Sequence, residues 1–599
     1  MNRFSTLIFI LLSVLSQSLH ASFSLPEGMV WETNIADPIY ASPDAEIGGT
    51  LRSYLRSFPL TLRSAGPDSN DGFATYTSAF TLSLISLHPE TLKPVPSLAT
   101  HWAYHPDGKT VYFKLDPKAR WSDGKQVTAD DYVFTQTFSR SKHIVDPFKN
   151  DYFTNRIINI KKHDEFVVSV EASSAKPQEE IMFNVAVSPT PEHFHVLNEN
   201  WVRSYNWKIE PTTGPYDITK VRKGKYIRFS RKLDWWANDN KYFKYRFNPK
   251  IIHLKVIRDD NIAFRYFLRG ELDVFFSSAT NIWHERSKHK LYKNGYIHRL
   301  WFYNLGPVSP QGLYMNQDDE LLSDLNVRKG IAHSLAVDKM IATVMRGEYA
   351  RSQHFYQGYG DYSNKDLKAP EFDLDKATKY FAAAGWIKRG PDGILVNNGK
   401  RLSVNLSYGS EKLTKRLVVF KQEAKKAGLE LELELMDSAS SFKKVLEKKH
   451  QIAFGNWSTG VVPSYWQMWH SDNAHKPQTV NTTNMDDPVL DKLIDRYRDS
   501  VSKQERVKLG LNIQQIIHDK TVFIPTLKGN MNREAYWRWM KYPAGLGTSR
   551  TAALLTPIPW TDWTFWIDVA GKQTTKDALS DGEVFEPVTI IDTTYKAVQ

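Results

Sequence analysis

The sequence predicts an α/β protein of two or three domains, and three observations carry that prediction. Its 599 residues exceed the roughly 250–300 at which a single hydrophobic core stops growing. Between residues 402 and 457, strand-like and helix-like patterns alternate as strand–helix–strand–helix–strand. That order implies right-handed crossovers and a parallel sheet. Before residue 300 the pattern is instead rich in short strands.

The first 21 residues stand apart. Arg3 supplies a positive start, residues 7–15 (LIFILLSVL) an apolar run, and Leu19-His20-Ala21 an acceptable cleavage site, so a removable export signal is expected. The run is far shorter than the ~20 residues of a membrane-spanning helix, and no later run is long enough. Arg63 follows a strand-like stretch over residues 51–62. A strand at 110–115 leads to RWSDGKQVTADDYVFTQTF, residues 120–138, which reads as a tight turn at Ser122-Asp123-Gly124-Lys125 and then a helix from Thr128. Thr128 and Asp131 have capping-box spacing, and Val133, Phe134 and Phe138 mark an apolar face. Further strands are expected at 166–170, 227–231 and 251–256. Asp260 would cap a helix over 261–269 before a strand at 274–276.

In the second half, Leu402, Val404, Leu406 and Tyr408 alternate as in a strand. The helix over 412–427 carries Leu413, Leu417, Phe420, Ala424 and Ala427 on one side and stops at Gly428. Leu429, Leu431, Leu433 and Leu435 alternate with glutamates, residues 441–449 read as a helix, and 451–457 as an apolar strand. Ligands of open α/β sheets sit beyond the carboxyl ends of the strands. Residues 408–410, 437–438 and 457–460 are therefore expected to face a cleft.

Composition narrows the chemistry. The absence of cysteine excludes disulfides, thiolate metal sites, a cysteine nucleophile and lipid attachment through an N-terminal Cys. The net charge of +12 is scattered: Lys425-Lys426 and Lys443-Lys444 lie beside Glu423 and Glu447, as on solvated helix faces, so nucleic acid is not expected as a partner. The 18 Trp, 28 Tyr and 31 Phe supply core, and some can also wall a cleft. His284-Glu285 with His289 misses the four-residue spacing that places two imidazoles on one helical face. His101 with His105, and His193 with His195, have no third ligand in sequence. No nucleophile elbow, phosphate-binding loop or dinucleotide fingerprint is present, so neither cofactor nor metal is expected.

The stretch 120–138 resembles a signature of the dipeptide/oligopeptide-binding proteins that feed ABC importers (extracellular solute-binding protein family 5). Thr213-Gly214-Pro215-Tyr216-Asp217 with Asp234-Trp235-Trp236, Gly270-Glu271-Leu272-Asp273, and Asn326-Val327-Arg328 through Asp338 resemble further segments of that family, in order, over roughly residues 45–530. The resemblance implies a two-lobed periplasmic-binding-protein fold of the cluster C type, with an additional small β-rich subdomain near residues 70–205. It implies a first lobe over 22–300, a second α/β lobe over 301–525, and a return segment, 526–599, completing the first. Many peptide-binding relatives place an aspartate shortly after the tryptophan corresponding to Trp457, to hold the ligand's amino group. Here Ser458, Thr459 and Gly460 stand there, and the next acidic residue is Asp472. That departure resembles the Yej-type branch.

The implied function is periplasmic capture of peptides by hinge closure, without catalysis, and delivery by a monomer to an inner-membrane permease. Oligosaccharides or glycopeptides in the same fold, and a secreted hydrolase, are the alternatives. Tyr408, Trp457 and Trp466 are expected to pack against ligand. Ser410, Thr459 and the Gly460 amide would hydrogen-bond it, Asp437 would neutralise a cationic end, and Arg63 would pair with a carboxylate.

Overall fold

The computed structural model describes residues 23–69, 72–276, 280–457, 460–528, 531–545, 547–555 and 562–596. The expected export signal, residues 1–21, and Thr459 lie outside the described residues.

The second-lobe sheet is built around the strand Ser403–Tyr408. It pairs in parallel with Glu430–Leu435 on one side and with Ile452–Gly455 on the other. The helix Thr414–Ala427 crosses between the first two, burying Leu417, Phe420, Ala424 and Ala427, and stops at Gly428 with φ +92. Only glycine takes that left-handed conformation without strain. The next helix, Ser438–Leu446, begins earlier than its apolar pattern indicates because Asp437 caps it, accepting from the Ala439 amide at 3.0 Å. The sheet is mixed rather than wholly parallel. Gly312–Met315 pairs antiparallel with Ile452–Gly455, and with Phe523–Pro525 on its other edge. These two strands carry the chain into and out of the lobe.

The first lobe holds a four-stranded sheet in the order Gly48–Leu55, Pro249–Val256, Tyr226–Arg231, Tyr216–Arg222. A second sheet interleaves Met531–Trp537 between Val274–Phe276 and Ile297–Tyr303, with Thr589–Ile591 at its edge, so the C-terminal residues pack here. The glycine of the 213–217 segment has a steric cause: a Cβ on Gly214 would lie 2.4 Å from the Phe80 carbonyl oxygen. The helix Asp260–Leu268 is capped by Asp259, which accepts from the Ile262 amide at 2.7 Å. Asp260, the expected cap, instead takes the Arg56 guanidinium at 2.9 and 3.0 Å and the Tyr54 hydroxyl at 3.1 Å.

A separate antiparallel sheet contains Ala99–Tyr104, Thr110–Leu115, Val167–Ala172 and Ile157–Asp164 in that order. The helix Ala129–Arg140 packs beside it with the capping box in place, Asp131 accepting from the Thr128 amide at 3.0 Å. Asp131 also takes the Trp121 indole N–H at 3.2 Å and the Glu192 amide at 3.2 Å, so one carboxylate ties turn, helix and a following loop together.

The apolar cores respect the division into lobes. Two clusters draw only on residues up to 302 and from 535 onward. Two others draw only on residues 313–527. No helix among the described residues is long and apolar enough to cross a membrane.

Candidate functional site

A cavity of about 810 Å³ lies between the small antiparallel sheet with its helices and the second lobe. Tyr152, Phe153, Phe183 and Val187 line one wall; Val462, Tyr465, Trp466 and Tyr497 line the other. The size and the mostly apolar walls with a few charged groups suit a small-molecule or peptide site.

Ion pairs bridge the lobes around this cavity. Arg506, on the helix Lys503–Asp519, holds Glu180 at 3.1 Å with both side chains almost fully buried, and the Tyr362 hydroxyl donates to the other Glu180 oxygen at 3.1 Å. Arg156 holds Asp499 at 3.0 Å, and Asp151 accepts from Arg498 at 3.3 Å. Lys176 donates to the Arg498 carbonyl, at the end of the helix Pro488–Asp499, and to the Ser174 hydroxyl at 3.0 Å. Arg498 also lies 4.6 Å over the Trp466 ring. Burial, reinforced by the nearby Arg506, pushes the Lys176 ammonium down to about 8. Burial likewise lowers Arg498 to about 10. On the first-lobe side Glu210 accepts from the Ser64 hydroxyl at 2.6 Å and meets the His195 ring at 3.2 Å, and these contacts hold its carboxyl low against the cost of burial.

Of the residues expected to bind ligand, Gly460 and Trp466 line the cavity. Trp457 sits away from it among Phe442 and Tyr314, with ring centroids 5.8 and 6.5 Å away. Tyr408 is buried, its hydroxyl 3.0 Å from that of Thr414. Ser410 precedes the short turn Glu411–Leu413, and its carbonyl takes the Leu413 amide at 3.0 Å. Asp437 is occupied as a helix cap and lies 3.8 Å from Arg258 of the first lobe. The Arg63 guanidinium is buried against the Trp201 ring and donates to the Ala65 and Pro67 carbonyls at 2.7 and 2.6 Å, so it braces its own loop.

The strand-end loop at Asp437 does face the first lobe, but across an ion pair rather than the cavity. Sequence reasoning missed Lys176, Glu180, Arg498 and Arg506. The available signal was Arg506, a cation on the buried stripe of Leu509, Ile513 and Ile517. Among the described residues no group of three or more His, Asp or Glu side chains could hold a metal ion. His284 bonds Glu348, and His193 meets Asp123 at 2.7 Å.

Two α/β lobes, joined by paired strands and enclosing a cavity between them, define a two-lobed solute-binding protein. The chain belongs to the bacterial extracellular solute-binding proteins, family 5, whose central portion matches residues 93–477. It is 24% identical over 547 residues to the uncharacterized protein YejA of Escherichia coli, covering 84% of this chain and 88% of that one. It is 20% identical over 552 residues to the probable peptide-binding protein YejA of Agrobacterium fabrum, covering 85% of this chain and 88% of that one. These are relatives of the Yej type. Among solved structures, the oligopeptide-binding protein AppA of Bacillus subtilis, in complex with a nonapeptide, superposes with a TM-score of 0.74 at 20% identity. That superposition covers 88% of this chain and 100% of AppA.

Proposed function

We propose that this protein captures peptides in the cavity between its lobes and presents them, with the lobes closed, to the inner-membrane permease of an ABC importer. The observation that carries the reading is the placement of that cavity: both lobes wall it, and ion pairs from both sides close over it. Binding that requires both walls favours closure, because ligand adds contacts available only in the closed state. Family membership, the probable peptide-binding relative and the nonapeptide complex of AppA support a peptide as the occupant. The N-terminal segment supports export to the periplasm with removal of the first 21 residues. Binding proceeds without turnover, and the protein acts as a monomer.

Within the cavity, Gly460 and Trp466 act as ligand contacts, joined by Tyr152, Phe183 and Tyr497 from the facing walls. Thr459, next in sequence to Gly460, acts as a further contact. An affinity of about 0.1–10 μM suits capture and release. The test is to purify the mature protein from periplasm, unfold it gently and identify released small molecules by mass spectrometry. Near-stoichiometric peptides are expected; recovery of sugars, or turnover of an added peptide, would overturn the reading.

A further inference from the structure

The charged groups around the cavity are not evenly matched. Five basic side chains line it: Lys149, Arg156, Lys176, Arg498 and Arg506. Each of the three arginines holds a carboxylate, and Lys149 lies close enough to Glu210 to lower its carboxyl. Among the described residues neither lysine has a carboxylate in contact: Lys149 donates to the Ser64 carbonyl at 3.3 Å, and the Lys176 ammonium is held by the Arg498 carbonyl and the Ser174 hydroxyl. Among the described residues, the carboxylates whose charge acts on Lys176, Asp499 and Glu180, already hold Arg156 and Arg506.

Among the described residues, both carboxylates lining the cavity are served as well. Glu180 has a donor on each oxygen, from Arg506 and Tyr362, and Glu210 has Ser64 and His195. A ligand ammonium would find neither carboxylate free, whereas a ligand carboxylate would find a half-buried ammonium lacking its strongest kind of partner.

We infer that Lys176 forms an anion subsite and that the protein selects peptides by a carboxylate, carried on an acidic side chain or at the C-terminus. The inference rests on the reading of the cavity as a peptide site. The lowered proton affinity of Lys176 agrees with it, since a bound carboxylate would hold the ammonium charged.

The test uses the full mature protein and calorimetric titration with synthetic nonapeptides. One contains two Glu with a free C-terminus, one two Glu with a C-terminal amide, and one two Gln with an amide. We expect the first to bind about tenfold or more tightly than the last. The amidated Glu peptide shows which carboxylate is read. Lys176→Gln should bring the ratio of affinities between the first and last peptides down to about one, whatever it does to binding as a whole, and Lys176→Arg should restore the ratio. If Lys176→Gln weakens all three peptides equally, Lys176 serves only to clasp the lobes and the subsite is overturned. Equal binding of the three by the unaltered protein would also overturn it while leaving peptide capture standing. Failure to bind any peptide, with the protein shown to be folded, would overturn both.

Discussion

At the scale of single residues, burial decides what an ionisable group can do. It pushes the imidazoles of His354 and His450 down to about 4. Both stay neutral in the folded protein at pH values where the unfolded chain, titrating near pH 6.5, takes up protons. Fewer protons are then bound by the folded state, so stability falls as pH drops from 6.5 towards 4, by up to roughly 3 kcal/mol for each ring. Thermal melts between about pH 7.5 and pH 4.5 should show that decline, and His450→Leu should lose part of it; parallel curves would refute the assignment. The same burial explains why the site was poorly legible in the sequence. Asp437 and Tyr408 carry chemistry that would suit a ligand, and only tertiary packing distinguishes a helix cap or a filled core position from a free group. Lys176 and Arg498 carry no distinguishing pattern in the sequence, because their surroundings come from distant parts of the chain.

Elements were far more legible, because periodicity and turn chemistry act locally. The alternation at Leu402, Val404 and Leu406, the helix stop at Gly428 and the crossover order all reappear as parallel pairing in the sheet. The antiparallel strands Gly312–Met315 and Phe523–Pro525 carried no such signal, being four and three residues long and each other's partners across the whole lobe. At the capping box, sequence and structure agree down to the side chain. Asp131→Ala would strand the Trp121 indole N–H and the amides of Thr128 and Glu192. We expect a loss of about 2–4 kcal/mol in the first-lobe unfolding transition in urea. Asp131→Asn, which keeps one acceptor oxygen and puts an amide NH2 in place of the other, should cost less than Asp131→Ala, and equal losses would show that both carboxylate oxygens are needed. Gly214→Ala should also destabilise that transition, since its Cβ meets the Phe80 carbonyl.

Over the whole molecule, each buried apolar cluster lies within one lobe, whereas ion pairs such as Arg506–Glu180 also cross between the lobes. Calorimetry should therefore resolve two unfolding transitions, one per lobe, moving closer together when ligand is bound. Removing the buried clasp with Arg506→Met leaves Glu180 without its cation in the closed form, a penalty of about 3–5 kcal/mol that opening relieves by hydration. Small-angle scattering of the ligand-free variant should show a larger radius of gyration than the unaltered protein; an unchanged radius would show that the ion pairs do not set the degree of closure. One further consequence follows from Gly312 and Pro525 facing each other in register. The chain leaves the host lobe and returns to it at a single doorway, so everything between is a self-contained cassette in the gene. Such a cassette can be exchanged by recombination without disturbing the order of the strands outside it. The two faces of the cleft are thereby free to diversify at separate rates, one by cassette exchange and the other by point substitution.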